Sequence, residues 1–291
     1  TDIRDSIQIS ITSGKLNYPA SQLFVTRITD EDNNISYEFK DKLGTLILSR
    51  QMNGTLAHDT YHIYDSYGNL RAVLPPLAAD ALTAVGTNWT WKADGTDILS
   101  KYAYLYKYDN RNRCIAKKLP GADWIYYVYD TADRLIFTQD GENRKQRKWL
   151  FTIPDEMGRT VLTGTCTNSM TFTADPLGSN TAKASRNNTT GTYKGYLISG
   201  VSLSGAVILS ANYYDDYNFM GKNGIPSATD SNFKYETVSG YGTRYTTSSK
   251  GLLTGTLNAQ INHSGTVTSF LYSVMYYDNR GRMIQMKSNN Q

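Results

Sequence analysis

The stretch from Lys101 to Gly141 limits what this chain can fold into, because one unit occurs in it twice in tandem. The unit is an aromatic run ending in Tyr-Asp, a three-residue turn and a short apolar tail. Tyr108-Asp109 is followed by Asn112, Arg113 and Cys114, and Tyr129-Asp130 by Asp133, Arg134 and Leu135. With the Asp as a ruler, the third position after it finds five further copies: Asp41 with Gly44, Asp65 with Gly68, Asp155 with Gly158, Asp215 with Asn218, and Asp278 with Gly281. That third position is Gly, Asn or Asp every time. Tyr64, Tyr108, Tyr129, Tyr214 and Tyr277 directly precede the Asp, so the agreement extends beyond the turn.

The restriction has a backbone cause. Asp at the first position of a type I turn accepts a local N–H, and the fourth residue falls in the left-handed region that Gly, Asn and Asp tolerate at least cost. Such a turn closes a short hairpin with a bulge, so each unit reads as strand, turn, strand. Several gaps between copies sit near one or two units of about 22 residues, as in stacked supersecondary repeats. The 23 Tyr, 23 Gly and 19% charged residues suit half-exposed strands joined by tight turns. The expected fold is therefore all-β, a meander of hairpins in an extended, twisted, partly open sheet.

Around the repeats, Ile3 to Ser13 alternates apolar and polar and predicts a first strand, while Pro75 to Val85 predicts a short helix. Polar stretches at about 167–194 and 226–250 read as insertions, long hairpins or loops, and no linker divides residues 1–291, which read as a single repeat domain. The start at Thr1 reads as that of a fragment of a longer protein. The formal charge of +4 is scattered apart from Glu142 to Lys148, which reads as a solvated loop, so nucleic acid is not an expected partner. No run approaches the roughly 18 apolar residues of a membrane span. Cys114 and Cys166 lack metal or disulfide spacing; Cys114 reads as a small buried hydrophobe.

The units resemble the YD repeats of the Rhs family, Tyr-Asp, two residues, Gly-Arg, then an apolar residue. Tyr277-Asp278-Asn279-Arg280-Gly281-Arg282-Met283 matches throughout; Tyr64 to Leu70 matches apart from Arg; the central pair replaces Gly by Asn112 and Asp133 but retains Arg113 and Arg134. The resemblance runs from Tyr37 to Met283 and is loosest over the two insertions. It implies hairpins wound into a spiralling sheet that forms the wall of a hollow shell, a secreted or surface location, and partners in the rest of a full-length chain and its C-terminal effector. Asp175-Pro176-Leu177-Gly178 resembles the self-cleavage signature of toxin-bearing members, but it lacks the following Leu and a second Asp-Pro and precedes the last repeats, which argues against cleavage here.

Other constellations are weak. His58 and His62 on one strand would lie about 13 Å apart, too far to share an ion, so no metal or other cofactor is expected. The pairs Asp30-Glu31, Asp155-Glu156 and Asp215-Asp216 resemble glycosidase carboxylates, but two of the three contain a turn Asp. Tyr102, Tyr104, Tyr106 and Tyr108 would share one strand face, and we read them as cross-strand packing in preference to a sugar platform. The expected function is non-catalytic shell wall. The alternative is a carbohydrate-binding surface using Trp89, Trp91 and Trp124, with glycans as partners. Unpaired sheet edges predict either an edge-to-edge dimer or cover by the insertions.

Overall fold

The computed structural model describes residues 8–10, 18, 21–83, 88–90, 97–172, 175–187, 193–240 and 242–290. The fold is all-β, an antiparallel meander with short helices at its connections, in two compact units, Thr1–Tyr127 and Val128–Gln291.

The first unit contains β1 (Gln8–Ser10), β2 (Phe24–Thr29), β3 (Ile35–Lys40), β4 (Leu46–Asn53), β5 (Leu56–Tyr64), β6 (Leu70–Leu74), α1 (Pro76–Thr83), β7 (Asn88–Thr90), α2 (Ile98–Tyr102), β8 (Tyr104–Tyr108), β9 (Cys114–Lys118) and β10 (Trp124–Tyr129), whose last two residues belong to the second unit. The ladder runs β2-β3-β4-β5-β6-β8-β9-β10. Among the described residues, β1 and β7 stand outside this ladder and pair with each other. Of the predicted first strand, Gln8–Ser10 falls within the described residues. The helix expected over Pro75 to Val85 is α1; the Pro75 carbonyl accepts its first backbone bond, from Ala79.

The core lies between this ladder and the two helices. Ala72, Leu74, Leu105, Ala116 and Trp124 are buried in the strands, Ala78, Ala79 and Leu99 in α1 and α2, and α1 packs on β5, β6 and α2. Burying a Leu such as Leu105 contributes roughly 2 kcal/mol. In β8, Leu105 and Lys107 are buried while Tyr104, Tyr106 and Tyr108 are half-buried, so the tyrosines take the more open face. Tyr102 is not in their row, contrary to expectation. It closes α2, which Asp97 caps by accepting the Ser100 N–H at 3.0 Å. Buried Lys118 donates from Nζ to the Ser100 carbonyl at 2.5 Å, and Lys107 Nζ stands 4.8 Å from the Trp124 ring centre. Toward β2 the cover ends, and none of β2 or β3 is buried.

The second unit continues with β11 (Leu135–Gln139), α3 (Gly141–Lys145), β12 (Trp149–Pro154), β13 (Thr160–Cys166), β14 (Lys183–Arg186), β15 (Tyr196–Ser199), β16 (Val207–Asp215), β17 (Ser249–Ile261), β18 (Val267–Tyr277) and β19 (Met283–Ser288). Its ladder runs β11-β12-β13-β16-β17-β18-β19, and β14 and β15 form a separate hairpin. Part of the charged segment expected as a loop is helical. Asp140 caps α3 through the Asn143 N–H at 2.7 Å, and Arg147 at φ 56° ends it.

The two insertions supply core. The first buries Leu177, Ala182 and Ala184; the second buries Phe233. Tyr196 stacks on Tyr213 at 5.8 Å and Tyr213 on Phe219 at 4.4 Å. The hydroxyl of Tyr196, just after the first insertion, donates to the Asn212 carbonyl, and that of Tyr276 donates to the Phe233 carbonyl, which ties the second insertion to β18. Cys114 is half-buried and Cys166 fully buried, and the two are not joined in a disulfide.

Candidate functional site

The feature repeated in both units is the Asp-centred turn. At Asp41, Asp65, Asp109, Asp130, Asp155 and Asp278, the Asp N–H donates to the carbonyl four residues on, at 2.9–3.0 Å, and the Asp carbonyl accepts the N–H three residues on, at 3.0–3.1 Å. That third residue is left-handed each time: Gly44 at φ 84°, Gly68 at 83°, Asn112 and Asp133 at 59°, Gly158 at 83° and Gly281 at 73°. Oδ1 of the Asp accepts two more N–H groups; for Asp109 these are Arg111 and Arg113, both at 2.9 Å. One carboxylate oxygen thus pins both ends of the turn.

In four copies the second oxygen binds an arginine. Nε of Arg113, Arg134, Arg159 and Arg282 donates to Oδ2 of Asp109, Asp130, Asp155 and Asp278 at 2.7, 3.0, 2.7 and 2.7 Å. Strand register shifts just before the Asp at Lys40, Tyr64, Tyr108, Pro154 and Tyr277, the bulge that a left-handed fourth residue calls for.

Sequence reasoning missed two copies. The Asp30 carbonyl accepts the N–H of Asn33, at φ 63°, and its Oδ1 accepts the N–H groups of Asp32 and Asn34. Counting Asp30-Glu31 as an acidic pair hid it, although Asn stands at the third position. The Asn262 carbonyl likewise accepts the Gly265 N–H, and its side-chain oxygen the Thr266 N–H, with Asn in place of Asp and no preceding Tyr.

Asp215 and Asn218 do not form the expected turn. Asp215 itself is left-handed, at φ 73°, and the Asn218 N–H is accepted by Asp216. After Asp215 the chain leaves the ladder and returns only at Ser249, so there is no adjacent strand for a four-residue turn to join. Asp215 instead takes Arg159 through both Nη atoms, at 3.1 and 2.7 Å, and the Gly251 N–H at 2.6 Å. The Arg159 guanidinium also covers the Tyr214 ring at 4.3 Å. Those bonds hold the Asp215 carboxyl below the usual carboxylate range, chiefly through Arg159 and against the opposing effect of burial. Asp155, Arg159, Asp215, Arg186 and Tyr196 line a cleft of about 230 Å³. Its Asp155 and Asp215 carboxylates share one arginine, and the lowered Asp215 is unlike the proton-holding acid of a glycosidase pair.

Of the sugar-platform candidates, Trp124 is 4% exposed and offers no ring face to solvent. Trp89 lies in β7 and Trp91 lies outside the described residues. His58 and His62 are both in β5, and burial pushes the His62 imidazole below its ordinary value. Among the described residues no cluster of three His, Cys, Asp or Glu is placed to hold a metal, and no helix is long and apolar enough to cross a membrane.

No protein-family model matches the chain, and a search of curated proteins finds no match. Solved structures do show likeness. The crystal structure of TcdB2-TccC3 is 11% identical over 88% of this chain with a TM-score of 0.43; TcdB2-TccC3 without its hypervariable C-terminal region is 12% identical over 91% with 0.45. The Photorhabdus luminescens Tc holotoxin pore is 14% identical over 88% with 0.36. The chain spans 11–12% of the length of the chains it matches in these structures.

Proposed function

We propose that the chain is a non-catalytic structural segment of a secreted or cell-surface protein, a length of sheet wall that encloses or presents an effector carried by the rest of a longer polypeptide. One observation carries this reading. The Asp residues that recur are bound by backbone N–H groups of their own turns, and in four copies by an arginine as well, so the repeated chemistry serves the hairpin. The match of Tyr277 to Met283 to the YD pattern supports the same role. The sugar-binding alternative draws no support from Trp124, which is buried.

Limited proteolysis of the full-length secreted protein tests the proposal. Segments beyond this chain should resist protease while the wall is intact and become sensitive when Gly158→Val and Gly281→Val break two turns. Equal sensitivity with intact and broken turns would remove the enclosing role. Antibody labelling of intact cells and culture supernatant, with no signal in either, would remove the location.

A further inference from the structure

Among the strands whose burial is described, β2 is the least covered. Phe24 is 66% exposed, Val25 54% and Ile28 43%, and all six residues of the strand are exposed. Among the described residues β2 pairs on one side only, with β3. Soluble proteins guard such an edge with proline, lysine, a bulge or a covering segment. Phe24-Val25-Thr26-Arg27-Ile28-Thr29 has no proline and no lysine, and it pairs with β3 without a register shift, whereas β3-β4, β5-β6 and β8-β9 are all shifted. The second unit's end strand is better guarded: β19 is shifted against β18 at Tyr277, and its Lys287 is paired with Glu236 at 3.0 Å.

We propose that β2 is a self-association site, where a second copy of the chain adds its own β2 antiparallel across a two-fold axis. The strand is self-complementary in the register centred on Thr26. There, one face pairs Phe24 with Ile28 twice and Thr26 with itself, aromatic–β-branched and Thr–Thr pairs that favour antiparallel neighbours. The other face sets Val25 against Arg27 twice, so no like charges oppose. Sliding one residue leaves Phe24 against Thr29 and separates it from Ile28. Sliding two in one direction puts Arg27 against Arg27. The two-fold makes the contact isologous, so it closes at a dimer.

Sedimentation of the whole 291-residue chain should show concentration-dependent conversion to twice its 32.6 kDa mass. Phe24→Lys with Ile28→Lys sets lysine against lysine and should leave a monomer with unchanged circular dichroism and thermal midpoint, since both side chains are solvent-exposed. Thr26→Cys reads the register: residues directly opposite have Cα atoms about 4.5–5.5 Å apart, within disulfide reach. Mild oxidation should cross-link that variant and not Ile28→Cys, whose two copies would lie about 13 Å apart. A wild-type monomer at hundreds of micromolar, a dimer that survives the double lysine variant, or equal cross-linking at both positions would each overturn the proposal.

Discussion

A carboxylate in these turns matters in proportion to how deeply it is buried. Asp130 is 1% exposed; besides its own turn it accepts the Ala182 N–H at 3.2 Å, and its partner Arg134 reaches on to the Ala182 carbonyl at 2.6 Å. Removing one member of such a buried pair costs about 3–5 kcal/mol. Asp41 binds only the N–H groups of Leu43 and Thr45 at the edge of solvent, where losing hydrogen bonds costs about 1 kcal/mol. Denaturant unfolding should therefore separate Asp130→Ala clearly from Asp41→Ala; equal losses would mean that only the local turn counts. The fourth turn residue gives a second contrast. Gly281→Val forces a β-branched side chain to φ 73° and should cost about 1–3 kcal/mol, while Gly281→Asn should cost less than about 1 kcal/mol, because Asn112 holds the same conformation at 59°. These turns were legible because their chemistry closes within five residues. Asp215 was not, since its partners Arg159 and Gly251 stand 56 and 36 residues away.

At the level of strands and helices, what sequence reading recovered was likewise local. The strands, the start of α1 at its prolines, and the bulge before Asp41, Asp65, Asp109, Asp155 and Asp278 all follow from short-range patterns. The burial of Trp124 did not, because it depends on residues distant in sequence, among them Lys107, whose Nζ stands 4.8 Å from the ring centre. Nor did the role of the insertions, whose composition looks solvated yet which place Leu177, Ala184 and Phe233 in the core. Gly255 in β17 shows how close that packing is. A Cβ there would stand 2.3 Å from the Phe219 ring, which is itself stacked on Tyr213 at 4.4 Å. Gly255→Ala should destabilise by about 1–3 kcal/mol through overpacking. Adding Phe219→Leu should recover part of the loss, and a double-mutant cycle without coupling between the two would rule out the contact as the cause.

For the whole molecule, opposite pKa shifts set two limits of pH. Asp215 is held low mainly by Arg159; at Asp109 burial pushes the other way but is outweighed by the N–H and guanidinium of Arg113. A carboxyl depressed in the folded state adds stability above its unfolded pKa of about 3.9, and that stability is lost as pH falls through the folded value. The urea midpoint should therefore fall once pH drops below about 4, and Asp215→Asn should weaken the protein at neutral pH while flattening that acid limb. At the other end burial raises Tyr196 and Tyr213 and pushes Tyr217 up to about 12. A phenol raised in the folded state contributes in full below its unfolded pKa of about 10, and the contribution disappears as pH climbs through the folded value. Between about pH 10 and 12 a cooperative step should follow in which phenolate absorbance and loss of the β-sheet signal rise together. Tyr217→Phe abolishes one late phenol and its bond to the Met275 carbonyl at 2.7 Å, so it should lower neutral stability yet reduce the alkaline dependence. A smooth titration of every tyrosine near pH 10 with the sheet intact would show that these rings are open to water.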